Sequence, residues 1–419
     1  MKHNIRLIIR RTIELTESEK PKTELKDFEL EIARCIHCKA CTIADAGNPK
    51  GGFETGCPAW NAMEWEAYSG GAKMWLARAI LNGNYKIDKD IGDLLFRCST
   101  CGNCETQCEN ELPTVDIIEA MRAEAVKAGV GPLDKQQGYA KATEVKRNPY
   151  NEDHACRTDW VPKEFKMKDT ADVVYFVGCT ASYRLQELAV STLRVMQKLG
   201  IDFTVKEDEY CCCSPLMRVG KLDLVNDYVK HNVELFKNSK AKIVVSSCAG
   251  CFRTMKRDWP KYYGPLPFEV KHSVNFIAEA LEMGKGKLKP LKGIKATYHD
   301  PCHYGRHVGE LIKNHKEKAE WFEVPRKILR TLLGDNFVEM PRNRENSWCC
   351  GAGGGARAQF PDWTLETSIE RIKEAEATGA THLVSACPFC ETSLQLAIEK
   401  SGSKLKMVDL IQFVEEALE

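Results

Sequence analysis

The chain has 419 residues, 43% of them hydrophobic and 28% charged, with a formal net charge of +1. That length fits roughly two to four domains with real cores. The charge balance gives no field favouring nucleic acid or an anionic membrane, and no apolar run approaches the length needed to span a bilayer. The N-terminal stretch MKHNIRLIIRRTIEL has only a broken apolar run and no small-residue cleavage site, so it reads as mature sequence. A cytoplasmic location follows, where the twenty cysteines serve as metal ligands or catalysts rather than as disulfides.

In chain order, residues 1–24 read as an extended arm. Residues 25–130 hold eight cysteines, a set of aromatics (Trp60, Trp65, Tyr68, Trp75) and helix-like stretches such as TVDIIEAMRAEAVKAG, closed by Gly129 and Pro132. Residues 131–170 are polar, hold NPYNED and VPKEF, and read as a linker. An α/β rhythm then begins. DVVYFVGC is strand-like, SYRLQELAVSTLRVMQKLG is a periodic helix ended by Gly200, and IDFTV is strand-like again. LDLVNDYVKHNVELFKNS is a helix and AKIVVSSC a buried strand. The order recurs after Pro290 as GIKATYHDPC, PRKILRTLLGDN, NFVEM, TLETSIERIKEAEATG and THLVSAC. The expectation is α+β overall: a mostly helical region at 25–130, then duplicated α/β units at 171–290 and 291–419 with parallel sheets and covered faces.

Cys35-x-x-Cys38-x-x-Cys41 is followed by Cys57-Pro58, and Cys98-x-x-Cys101-x-x-Cys104 by Cys108. A triple-cysteine run wraps one [4Fe–4S] cubane, and in two-cluster ferredoxins the fourth ligand comes from the other run. Cubane one then takes Cys35, Cys38, Cys41 and Cys108; cubane two takes Cys98, Cys101, Cys104 and Cys57. There are two departures. The insertion TIADAGNPKGGFETG separates Cys41 from Cys57, and Glu109 stands where a proline usually follows the last cysteine. Zinc sites would show separated C-x-x-C pairs instead.

Ten further cysteines form one pattern used twice. The first set is Cys179, Cys211-Cys212 and Cys248-x-x-Cys251; the second is Cys302, Cys349-Cys350 and Cys387-x-x-Cys390. Adjacent cysteines diverge along an extended backbone and suit a single tetrahedral zinc poorly. Five soft ligands also exceed what a cubane needs, so a larger iron–sulfur assembly is expected.

At these motifs the chain resembles the catalytic subunit of heterodisulfide reductase and its relatives. The matching stretches are Glu209 to Leu216 (EYCCCSPL), Cys349 to Gly355 (CCGAGGG), Ser246 to Thr254 (SSCAGCFRT) and Tyr298 to Arg306 (YHDPCHYGR). The resemblance runs from about residue 30 to the C-terminus. It implies two "CCG" cysteine-rich domains behind a two-cluster ferredoxin domain. Each complete five-cysteine set would bind a non-cubane [4Fe–4S] cluster, fed with electrons from the two cubanes, with a small disulfide held between the two. The coenzyme M–coenzyme B heterodisulfide is the implied substrate, and a membrane cytochrome b or a soluble flavoprotein the implied redox partner. The chain would then be peripheral to the membrane through that partner. The alternative is an electron-transfer subunit of a flavin dehydrogenase for lactate, glycolate or glycerol 3-phosphate, or of a respiratory sulfur-metabolism complex.

Cys213 departs from the family, which has glycine there, and reads as a spare thiol, as does Cys156. His299 and His303 flank Cys302 and are candidates for proton delivery or for hydrogen bonding to cluster sulfur. Arg253, Arg306 and Arg357 lie near ligand cysteines and are candidates for gripping an anionic substrate. Gly351 to Ala356 formally fits a dinucleotide fingerprint, but it follows a cysteine pair rather than a strand. Those glycines read as backbone room around a cluster. The segment NHKEKAEWFEV reads as a surface loop or helical insertion available to a partner.

Overall fold

The computed structural model describes residues 22–45, 50–309, 311–312 and 314–419. The expected arm lies outside the described residues except for Lys22 to Glu24. The N-terminal region is helical: α1 (Glu29–Ala33), α2 (Pro58–Met63), α3 (Gly70–Leu81), α4 (Lys89–Phe96) and α5 (Thr114–Lys127). Leu25, Phe28, Met74, Leu95 and Met121 pack into its own apolar core. Ser69 and Asp88 cap α3 and α4 by accepting from Ala72 N and Ile91 N.

The stretch expected as a linker is instead built into the body. It forms α6 (Asp134–Lys146) and a 3-10 turn at His154–Thr158. Tyr228 donates from its hydroxyl to Thr143 O at 2.7 Å, and Cys211 N donates to Arg147 O at 3.0 Å. Polar composition suggested solvent, but here it satisfies backbone groups of the neighbouring unit.

The first α/β unit has a four-stranded parallel sheet ordered β2-β1-β3-β4, with β1 Val173–Tyr175, β2 Phe203–Thr204, β3 Ile243–Ser246 and β4 Glu269–His272. The second has β5 (Ala296–Tyr298), β6 (His382–Ser385) and β7 (Lys406–Asp409), all parallel, in that order. NFVEM, expected as a strand, contributes a single parallel bridge, Ala296 to Phe337, at the position β2 holds in the first sheet. The chain runs from β1 out to β2 and returns to β3 on the other side. A crevice therefore opens at the carboxyl ends of β1 and β3. Cys179 follows β1 and Cys248 follows β3; Cys302 follows β5 and Cys387 follows β6. The duplicated cysteines sit where a doubly wound sheet leaves room for a ligand.

The segment read as an insertion is the first half of a long helix, α7 (His315–Leu333), which runs through Pro325. Its Trp321 stacks on Tyr304 at 4.9 Å and donates to Tyr304 O at 2.9 Å, so its apolar face turns inward. Among the described residues, no helix is long and apolar enough to cross a membrane.

Candidate functional site

Cys57, Cys98, Cys101 and Cys104 line one enclosed cavity together with Gly70 and Lys73. Gly70 forms part of the cradle, since a Cβ there would lie 2.7 Å from Cys104 Cβ. Enclosure pushes the Cys57 thiol up to about 12 against the opposing pull of Lys73. The insertion after Cys41 doubles back, with Ala44 N donating to Glu54 O at 2.9 Å and Gly56 N to Thr42 O at 2.9 Å, and returns Cys57 to the cavity. Cys35 interacts electrostatically with Cys108 and Cys38, and Cys41 with Cys35 and Cys38. Backbone amides aim at sulfur, as Gly71 N does to Cys41 Sγ at 3.2 Å. Cys38 is exposed.

In the first duplicated site, Cys179 interacts electrostatically with Cys211, and Cys212 Sγ lies 3.4 Å from Cys251 Sγ. Hydrogen bonds with Cys211 and Cys251 pull the Cys212 thiol down to about 6. Cys251 also interacts electrostatically with Cys248. Gly178 must lack a side chain, because a Cβ there would meet Cys251 Sγ at 2.9 Å. The second site repeats the arrangement: Cys302 interacts electrostatically with Cys349 and Cys350, and Cys390 with Cys350 and Cys387. All ten of these cysteines are buried except Cys302, which is partly so.

Two electrostatic neighbours link the sites. Cys101 of the ferredoxin-like cavity interacts electrostatically with Cys349. Cys248 of the first duplicated site interacts electrostatically with Cys387 of the second. The cavity at Cys101, the second site and the first site thus form a row in that order.

His299 Nδ1 accepts from Arg371 Nε at 3.2 Å. Arginine only donates, so the ring proton is on Nε2. His299 forms a close group with Cys350 and Cys390, and His303 with Cys302 and His307. Burial, reinforced by Arg371, pushes His299 down to about 3, and burial pushes His303 to about 4. Both rings are therefore neutral donors beside sulfur rather than charged acids. Of the three arginines expected to grip an anion, Arg306 and Arg357 donate to protein oxygens, while the Arg253 guanidinium is buried without a hydrogen-bond partner beside a carboxylate. Arg253 is ion-paired with Asp258 at 3.1 Å. Arg306 donates to Cys101 O at 2.8 Å, Ser347 O at 2.6 Å and Glu345 O at 3.0 Å. Arg357 donates to Thr392 Oγ1 at 2.7 Å.

Two family descriptions match the chain: "Cysteine-rich domain" (CCG) over residues 173–256 and 296–395, and "4Fe-4S dicluster domain" over residues 31–112. The chain is 39% identical over 402 residues to one of the subunits of dihydromethanophenazine:CoB–CoM heterodisulfide reductase of Methanosarcina barkeri, covering 93% of this chain and 94% of that one. The chain belongs to the heterodisulfide reductase family. It is 30% identical to one of the subunits of fumarate reductase (CoM/CoB) of Methanothermobacter marburgensis, over 77% of this chain and 61% of that protein. It is 26% identical to EtfAB:quinone oxidoreductase of Syntrophomonas wolfei, over 78% of this chain and 47% of that one. It is an iron–sulfur oxidoreductase subunit of the heterodisulfide reductase type carrying [4Fe–4S] clusters.

The heterodisulfide reductase fold explains the glycine run that mimicked a dinucleotide motif. A Cβ on Gly353 would meet Ser99 O at 2.4 Å, and one on Gly354 would meet Cys98 O at 2.4 Å. The run lets two ligand loops touch backbone to backbone. Several residues near sulfur gave no sequence signal. Arg157, in the stretch expected as a linker, donates to Cys179 Sγ at 3.7 Å. Ser99 Oγ lies 3.4 Å from Cys349 Sγ. Arg122 of α5 donates to Leu95 O, Cys98 O, Arg218 O and Gly354 O, at 2.7–3.1 Å. A lone arginine in a helix or a polar loop looks like surface unless spacing marks it, and here none does.

Proposed function

We propose that this chain reductively cleaves a small disulfide, the coenzyme M–coenzyme B heterodisulfide, between its two five-cysteine sites. The observation that carries the reading is that two complete five-cysteine sets neighbour each other, with Cys248 interacting electrostatically with Cys387. The substrate class is supported by two relatives whose names both carry CoM and CoB. Cys35, Cys38, Cys41 and Cys108 would hold one cubane, and Cys57, Cys98, Cys101 and Cys104 the other. Cys179, Cys211, Cys212, Cys248 and Cys251 would hold one non-cubane cluster, and Cys302, Cys349, Cys350, Cys387 and Cys390 the second. When bound, these groups supply one-electron chemistry next to sulfur.

The overall change is R–S–S–R′ + 2 e⁻ + 2 H⁺ → RSH + R′SH, a two-electron couple that two adjoining sites suit. Electrons would be taken up near exposed Cys38, cross at the Cys101–Cys349 contact and reach the first site through Cys387 and Cys248. The exclusion of bulk water around ten largely buried cysteines protects reduced sulfur from side reactions. His299 Nε2 and His303 Nε2 are buried without a hydrogen-bond partner in a group with cysteine sulfur, and neutral rings there would offer N–H groups to negative charge as it accumulates. The donor would be a partner protein, either a membrane cytochrome b or a soluble flavoprotein, with this chain on the cytoplasmic side.

The test is anaerobic turnover. Dye-reduced protein given the heterodisulfide should release both thiols. Fully reduced protein that leaves the heterodisulfide intact would contradict the reading. That result would instead favour an electron-transfer subunit for a flavoprotein, the reading the EtfAB:quinone oxidoreductase match supports.

A further inference from the structure

The segment between the ferredoxin-like region and the first sheet carries a side chain that reaches ligand sulfur. Arg157 sits in the 3-10 turn His154–Thr158 and is 1% exposed. Its guanidinium donates to Cys179 Sγ from Nη1 at 3.7 Å and from Nη2 at 3.9 Å. Nη2 also donates to Glu209 Oε1 in a buried ion pair. Glu209 in turn accepts from Val177 N at 2.9 Å and Gly178 N at 3.0 Å, the two residues that lead into Cys179. Trp160 Nε1 donates to Arg157 O at 3.0 Å and fixes the turn. The second duplicated site differs. Arg306, the guanidinium that interacts electrostatically with Cys302, directs its hydrogen bonds to three backbone carbonyls.

We infer that Arg157 and Glu209 form a positioning pair that sets the reduction potential of the first duplicated site. Arg157 stabilises the reduced state through its hydrogen bonds to Cys179, and Glu209 limits that stabilisation. The inference rests on the reading that Cys179 is an iron ligand. An electron added to a site already ringed by thiolates adds negative charge. A donor on a ligand sulfur and a positive charge beside it favour that state. A carboxylate behind the guanidinium opposes it. Burial matters because no water screens either charge. The duplicated halves are therefore not electrically equivalent, although their cysteine spacing is the same.

The two members of the pair act with opposite sign, which separates tuning from scaffolding. The experiment is an electron-paramagnetic-resonance redox titration of the anaerobic full chain. The first-site signal is identified as the one lost in Cys212→Ser. Arg157→Gln should shift its midpoint to more negative potential, and Arg157→Lys, which keeps the charge, should shift it less. Glu209→Gln should shift it to more positive potential. The other signals should stay in place in all three variants. Wild-type midpoints in both Arg157 variants with iron retained would overturn the inference. A shift of the same sign in Arg157→Gln and Glu209→Gln would overturn it, and so would loss of first-site iron in all three, which would make the pair a folding element. A wild-type protein with no signal assignable to the first site would instead bring down the ligand reading on which this rests.

Discussion

Cys213 sits at φ +69°, in the left-handed region, with its thiol fully buried and 3.7 Å from Cys211 O. The matching position in the second half is Gly351, at φ +78°. The turn after each adjacent cysteine pair requires this backbone angle, which glycine adopts without strain. A side chain there costs about 1 kcal/mol, and the buried sulfur regains about as much through packing. Cys213→Gly should therefore change stability by less than about 1 kcal/mol and keep full iron content. Denaturation and iron assay together check this, and loss of iron would mean that the adjacent ligand pair has been misassigned. At this scale the sequence was legible where ligand chemistry dictates spacing. Cys57, Cys98, Cys101 and Cys104, far apart in sequence, line one cavity. Arg122, Arg157 and Arg371 were not legible, because a single buried arginine leaves no periodic trace.

Among the elements, strands β1, β3, β5 and β6 were readable as short apolar runs, and the long amphipathic helices as 3.6-residue periods. The edge strands β4 (EVKH) and β7 (KMVD) were not, because each is four residues long and mixes charge with partial exposure. Pro325 suggested a helix start, yet α7 continues through it, and a Cβ at Gly305 would meet Phe322 at 2.6 Å, which shows how closely the helix covers the Cys302 loop. The glycine run at 351–355 is the element that joins second-site ligands to the Cys98–Cys101 loop. Gly354→Ala puts a Cβ against Cys98 O in a left-handed residue. It should destabilise the protein by about 1–3 kcal/mol and slow reduction of the second site while leaving reduction of the cubanes unchanged. Denaturant titration and stopped-flow reduction check the two parts. Wild-type values in both would show that the close approach has no consequence.

At the scale of the whole molecule, three regions meet on one buried guanidinium. Arg122 binds carbonyls from the helical region, from the turn at Arg218 in the first α/β unit and from Gly354 in the second. The domain order was readable from cysteine spacing; the mutual contacts were not, because contacts between distant segments have no local signature. The row of sites predicts separable defects. Cys101→Ala should remove about four of roughly sixteen irons and block electron delivery from the cubanes, while a small dye that reaches the duplicated sites still drives disulfide cleavage. Loss of all iron in a folded variant would contradict this division of labour.

The central claim, that cleavage needs both halves at once, is tested most directly by one anaerobic assay of heterodisulfide reduction on wild type, Cys212→Ser and Cys350→Ser. Thiolate is a far better iron ligand than a hydroxyl. The account predicts turnover by wild type and none by either variant, with reduction of the cubanes intact in all three. Full activity of Cys350→Ser or of Cys212→Ser would show that one site suffices and would contradict it.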